Sequence, residues 1–88
     1  MTIMTDFERE VRAFILRAMD KAPGAVTDAW LRGVVKTAFH HVAFSATELG
    51  LHVTSMEDAG LISGTSDNTL GQMWALTPEG KIKAQILN

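Results

Sequence analysis

The groups in this 88-residue sequence able to do chemistry are three histidines, ten carboxylates and eight Lys and Arg side chains, and their spacing decides which chemistry is open to them. A helical metal site needs ligands that share a face, as residues at i and i+4 do. His40 and His41 are adjacent and so point to different faces of a helix, and neither they nor His52 has a second histidine at that spacing. No metal and no cofactor is expected. His41 is expected as a satisfied core histidine, with His40 and His52 at the surface. Cysteine is absent, no serine stands in a nucleophile-elbow or triad pattern with a histidine and an acid, and no glycine-rich loop follows a strand to cradle phosphates. No catalytic residue emerges, and the chain is read as not an enzyme.

What is left is binding. Arg32, Lys36 and His40 recur at steps of four, so on a helix they form one stripe that could grip a phosphate backbone or simply face solvent. Ten acids against eight Lys and Arg give a formal charge of −2, short of the basic excess that marks a dedicated nucleic-acid binder.

The elements that would position these groups follow from periodicity and punctuation. Asp6 can cap a helix on which Phe7, Val11, Phe14, Ile15, Ala18 and Met19 repeat at helical spacing up to Pro23-Gly24. On it, Glu8 and Arg12 stand four apart in the favourable order, and Arg9, Arg17 and Lys21 lie off the apolar stripe as a solvated face. Ala25-Val26 is a short extended link. Thr27 or Asp28 then caps a second helix running to about Phe44, with Trp30, Leu31, Val34, Ala38, His41 and Val42 inward and Arg32, Lys36, Phe39 and His40 outward. Ser45-Ala46-Thr47-Glu48 fits a capping box and opens a third helix. Its apolar positions Ala46, Leu49, Val53 and Met56 are three or four apart, and Gly60 ends it in the left-handed conformation. Leu61-Ile62 begins a strand, Gly64 to Thr69 is rich in turn residues, and the 72–76 segment returns as the second strand of a hairpin, with Leu70, Trp74 and Leu76 of one parity. Thr77 with Pro78 starts a last helix bearing Ile82, Ile86 and Leu87. Trp30 and Trp74 are expected as core anchors. The order is helix-helix-helix-strand-wing-strand-helix, mainly α with a small β-hairpin (α+β).

Size and composition fit one soluble domain over 1–88. The sequence is 47% apolar and 20% charged, a globular rather than disordered profile. No apolar run approaches the roughly 20 residues of a membrane span, and Met1 to Asp6 lacks the regions of a signal peptide. No membrane association is expected, and the chain is read as cytoplasmic.

The segments Phe44-Ser45-Ala46-Thr47-Glu48-Leu49-Gly50-Leu51-His52-Val53 and Glu57-Asp58-Ala59-Gly60-Leu61-Ile62 resemble a winged helix-turn-helix recognition helix. Trp74-Ala75-Leu76-Thr77-Pro78-Glu79-Gly80-Lys81 is similar to the end of that family's wing. Over the whole chain there is also a likeness to small winged-helix proteins encoded in Mu-like prophages. The resemblance implies a winged helix-turn-helix fold and a DNA-binding transcription regulator of bacterial or phage origin. In such a protein the third helix enters the major groove and the hairpin loop lies beside the backbone.

On that projection, with Val53 inward, the outward residues of the third helix are Thr47, Glu48, Leu51, Ser55 and Asp58, with His52 and Thr54 on the flanks. None is basic, and no Lys or Arg occurs from Thr37 to Glu79. Phosphate contacts supply much of the affinity for DNA, so a surface of this charge disfavours a duplex. Two readings therefore stay open. In the first, DNA is bound, with Arg32, Lys36, Ser45, Thr47, Glu48, Leu51, His52 and Ser55 as contact residues and Thr65, Ser66 and Asn68 on the wing. In the second, the same residues serve a protein-interaction or assembly module, with Leu51 at the contact centre. A homodimer is expected in either case, because Phe39, Leu51 and the last helix leave apolar surface outward.

Overall fold

The computed structural model describes residues 6–42 and 45–87. Its elements in order are α1 (Asp6–Lys21), β1 (Val26–Thr27), α2 (Asp28–Ala38), α3 (Ala46–Asp58), β2 (Ile62–Asp67), β3 (Gly71–Leu76) and α4 (Pro78–Leu87). The result is a mainly helical α+β, winged-helix-like architecture. Among the described residues the strands form one antiparallel sheet in the order β1-β3-β2. Phe44, and the side chains of Ala46 and Leu87 expected on apolar faces, lie outside the described residues.

The core follows the apolar stripes. Val11, Ile15, Leu16 and Met19 of α1 meet Leu31, Val35 and Phe39 of the α2 segment and Leu49, Val53 and Met56 of α3, all buried. Phe39 accepts two edge-to-face aromatic neighbours, Phe7 and Phe14, with centroids 5.7 and 5.6 Å away. Such contacts add about 0.5–1.5 kcal/mol each beyond the area buried.

Helix α2 departs from the expected reading in length and in phase. It ends at Ala38 rather than near Phe44, because Phe39 leaves helical geometry as the C-cap while its N–H still bonds the Val35 carbonyl. Phe39, expected outward, is buried, and Trp30, expected in the core, is 42% exposed. Ala38 and His41, also expected inward, are exposed. The physical reason is that apolar side chains occupy neighbouring positions (30 and 31, 34 and 35, 38 and 39), so two stripes about 100° apart fit equally well. Leu31-Val35-Phe39 is buried because the Phe39 ring closes the aromatic group with α1.

The hairpin is longer and its turn tighter than the composition suggests. Gly64, Thr65 and Ser66, expected in a loop, pair in β2 with Trp74, Met73 and Gln72. Asn68-Thr69-Leu70 makes the turn. Asp67 Oδ1 accepts the N–H groups of Thr69 and Leu70, both at 2.7 Å, and Gly71 takes the positive φ of 80° that closes it. Those two hydrogen bonds hold the Asp67 carboxyl below its usual pKa. Gly64 admits Trp74, since a Cβ there would come within 2.7 Å of the indole. The extended link expected at Ala25-Val26 is a strand one residue further on, Val26–Thr27, pairing Val26 with Trp74 and Thr27 with Met73.

Both ends of α3 are tied down. Ser45 Oγ accepts the Glu48 N–H at 3.0 Å. At the other end Gly60, with φ of 77°, lets its N–H bond the Glu57 carbonyl and the Leu61 N–H bond the Met56 carbonyl, the two bonds of a Schellman motif. Thr77 then joins α3 to α4. Its Oγ1 donates to the Gly60 carbonyl at 2.6 Å and accepts the Gly80 N–H at 3.0 Å. Gly80 is required there because a Cβ would overlap the Leu61 carbonyl oxygen.

Candidate recognition face

The two candidate surfaces sit on α3 with the wing, and on α2. Leu49, Val53 and Met56 are buried at 0, 2 and 0% exposure, which fixes the opposite side of α3 toward solvent. That side presents Thr47, Glu48, Leu51, Thr54 and Asp58, all exposed, with Ser45 exposed at the cap. Leu51 is 66% exposed. The wing adds Thr65, Ser66 and Asn68, all exposed, and Leu70 at its tip, 58% exposed.

Ser55 and His52 differ from the rest. Both are half-buried, and Arg12 of α1 donates from Nη2 to Ser55 Oγ at 2.8 Å. Ser55, expected outward, therefore faces α1. The Arg12 Nε is buried and has no hydrogen-bond partner among the described residues. Burial, reinforced by the Arg12 charge and opposed by Glu8 and Glu48, holds the His52 pKa below that of a free histidine. The cluster links α1 to α3, with His52 favoured neutral.

Lys36 is exposed on α2. Arg32 is half-buried and tied down: its Nε donates to Asp28 Oδ2 at 2.7 Å, and its guanidinium lies against Gly50 of α3, 3.6 Å from where a Cβ would stand. The other carboxylate oxygen of Asp28 accepts the Trp74 Nε1 hydrogen at 3.0 Å. Burial alone would raise the Asp28 pKa, but the hydrogen bonds from Arg32 and Trp74 and the Arg32 charge outweigh it and hold the carboxyl below its usual value. One carboxylate thus joins β3, α2 and the α2–α3 contact. The i, i+4 spacing of Asp28 and Arg32 is readable in the sequence. The Asp28–Trp74 bond spans 46 positions and carries no local signal.

His40 and His41 lie beyond the end of α2, exposed, with ring centroids 5.8 Å apart. Among the described residues no group of His, Cys, Asp and Glu could hold a metal ion, and no helix is long and apolar enough to cross a membrane.

No protein-family model matches the chain, and no curated protein matches it. Among solved structures, the chain is similar to the circadian clock associated protein Pex from Anabaena, with a TM-score of 0.68, 19% identity, and coverage of 91% of this chain and 72% of that one. The likeness is one of fold.

Proposed function

We propose that this chain is a non-enzymatic winged-helix regulator that binds DNA, with α3 toward the major groove and the β2–β3 hairpin beside the backbone. The observation that carries this reading is the pairing of a firmly capped helix, exposed along Thr47, Glu48, Leu51 and Thr54, with an exposed hairpin bearing Thr65, Ser66 and Asn68. Short hydroxyl and amide side chains of this kind bond base edges and phosphates. His52, half-buried beside them, is a further polar contact, and the cationic contribution falls to Lys36 and Arg32 on α2. A homodimer of bacterial or phage origin fits this role, since one small module buries little DNA-contacting surface.

A specific observation favours a second reading, in which the partner is a protein. The sequence of α3 and the wing contains no Lys or Arg, while Leu51 and Leu70 are exposed among Glu48, Asp58 and Asp67. An apolar centre with a charged rim is the composition of a protein interface.

Fluorescence anisotropy with mixed-sequence duplex at about 50 mM salt separates the two, because phosphate contacts tighten strongly as counterions become scarce. DNA binding predicts a salt-sensitive titration whose log–log slope falls by about one in Lys36→Ala. Absence of any titration by the folded protein would retire the DNA reading in favour of the protein one, for which Leu51→Ala should weaken the partner by about 1 kcal/mol or more. Sedimentation showing only monomer at high micromolar concentration would count against the dimer.

A further inference from the structure

A second surface shares no residue with α3 or the wing. Where the C-terminal half of α1 passes the start of α2, two adjoining hollows of about 440 and 320 Å³ open to solvent, both bordered by Ala18, Lys21 and Trp30. The hollow has a simple cause. At its centre the lining around Trp30 is made of small side chains, Ala18 of α1 with Ala22 and Ala25 just beyond the helix, and the Trp30 ring stays 42% exposed. Phe14 and Val34 continue the apolar floor.

The charged side chains in the lining are Arg17 and Lys21, four residues apart on α1 and therefore on one edge of the groove. Neither has an acid of this chain within 4 Å: among the described residues, the ion pairs at that distance are Arg9–Asp6 and Arg32–Asp28. An exposed tryptophan in a hollow is the kind of anchor that dominates binding energy when covered, and two cations at the rim select the charge of what covers it.

We propose that this groove docks a linear segment of a partner protein in which large apolar side chains alternate with carboxylates, the apolar groups lying over Trp30 between Ala18 and Ala22 and the carboxylates meeting Arg17 and Lys21. A basic segment is excluded by like charge at the rim, and that includes α4 of a second copy, whose exposed Ile82 and Ile86 are flanked by Lys81 and Lys83. The groove gives the protein a partner site independent of α3, so a regulator could hold its target on one face and a protein on the other.

The test is selection of a displayed library of random peptides on the folded full chain, followed by anisotropy with the selected consensus peptide. The expected result is enrichment of Asp or Glu beside Leu, Phe or Trp. Affinity should drop at least tenfold in Arg17→Glu with Lys21→Glu, and similarly in Ala18→Leu, which fills the hollow. Leu51→Glu on α3 should leave it unchanged. Lys21 is exposed and Arg17 half-buried, and circular dichroism checks that the variants fold. Failure to enrich any peptide, enrichment of basic or neutral peptides, or binding lost in Leu51→Glu but kept in the groove variants would overturn the proposal. So would self-association of the chain that disappears in Arg17→Glu with Lys21→Glu, since the groove would then serve a second copy. None of these outcomes bears on duplex binding, which is read separately.

Discussion

Helices α2 and α3 open on the same cap, Thr27 Oγ1 accepting the Trp30 N–H and Ser45 Oγ accepting the Glu48 N–H, each at 3.0 Å, and then diverge in what their side chains touch. On α3 the division is sharper: Leu49, Val53 and Met56 face the core, and the other described positions are exposed apart from His52 and Ser55 on the side of Arg12 and Gly50 beside Arg32. On α2 the polar residues take part in the interior, with Asp28 and Arg32 bridging to Trp74 while Trp30 lies half in solvent. A helix whose charges are engaged internally makes a scaffold, and one whose inner face is wholly aliphatic leaves its outer face free for a ligand. The cationic stripe on α2 is therefore smaller in practice than its spacing suggests, because Arg32 is engaged by Asp28.

The strongest test of this contrast is Trp74→Ala. It removes both the anchor over Gly64 and the donor to Asp28, and should cost about 3–5 kcal/mol in urea denaturation, a large part of a small domain's stability. A loss well under 1 kcal/mol would mean that β3 is not tied to α2 as described.

Next in size is Asp28→Ala, which strands the Trp74 N–H and the Arg32 guanidinium and should cost about 1–3 kcal/mol. Because the folded-state pKa of Asp28 is depressed, its contribution is present above the unfolded value of about 3.8 and is lost as pH falls through the folded value. In Asp28→Ala the acid-side slope of stability should flatten. An unchanged slope would place the titrating carboxylate elsewhere.

His52 sharpens the comparison from the α3 side. Its folded-state pKa is lowered, so below about pH 6.5 the unfolded chain binds the extra proton first, and stability should fall with pH until the folded value is passed. Urea midpoints measured from pH 7.5 to 5 should show this decline, and His52→Gln should reduce it. The smallest effect is expected where α3 is most exposed. Leu51→Ala should change stability by no more than about 0.5 kcal/mol, and a loss of about 2 kcal/mol would mean that the side chain is buried against something in solution.

Much of α3 was legible because its signals are local and separate. Ser45 three residues before Glu48, the buried positions 49, 53 and 56, and Gly60 at the end each identify themselves by spacing or backbone chemistry. Thr77 and Pro78 are equally readable as a helix start, although the bond from Thr77 to the Gly60 carbonyl and the need for Gly80 are not. The phase of α2 is ambiguous in the sequence because apolar residues at consecutive positions support two stripes, and the choice between them depends on Phe7 and Phe14 from another helix. The strand at 26–27 is too short for periodicity to register, and exists only because β3 runs beside it. Outward placement of Thr47, Glu48 and Leu51 came from the sequence, whereas the turn of Ser55 toward α1 required Arg12 to cross from a helix 43 positions away. Charge is the clearest case of this division. That α3 and the wing carry no Lys or Arg is known before any folding is considered, since composition does not depend on folding. Which cations elsewhere are engaged depends on folding: Arg12 meets Ser55 and Arg32 meets Asp28, while Lys21 and Lys36 are exposed, because pairing depends on which side chain arrives within hydrogen-bonding distance.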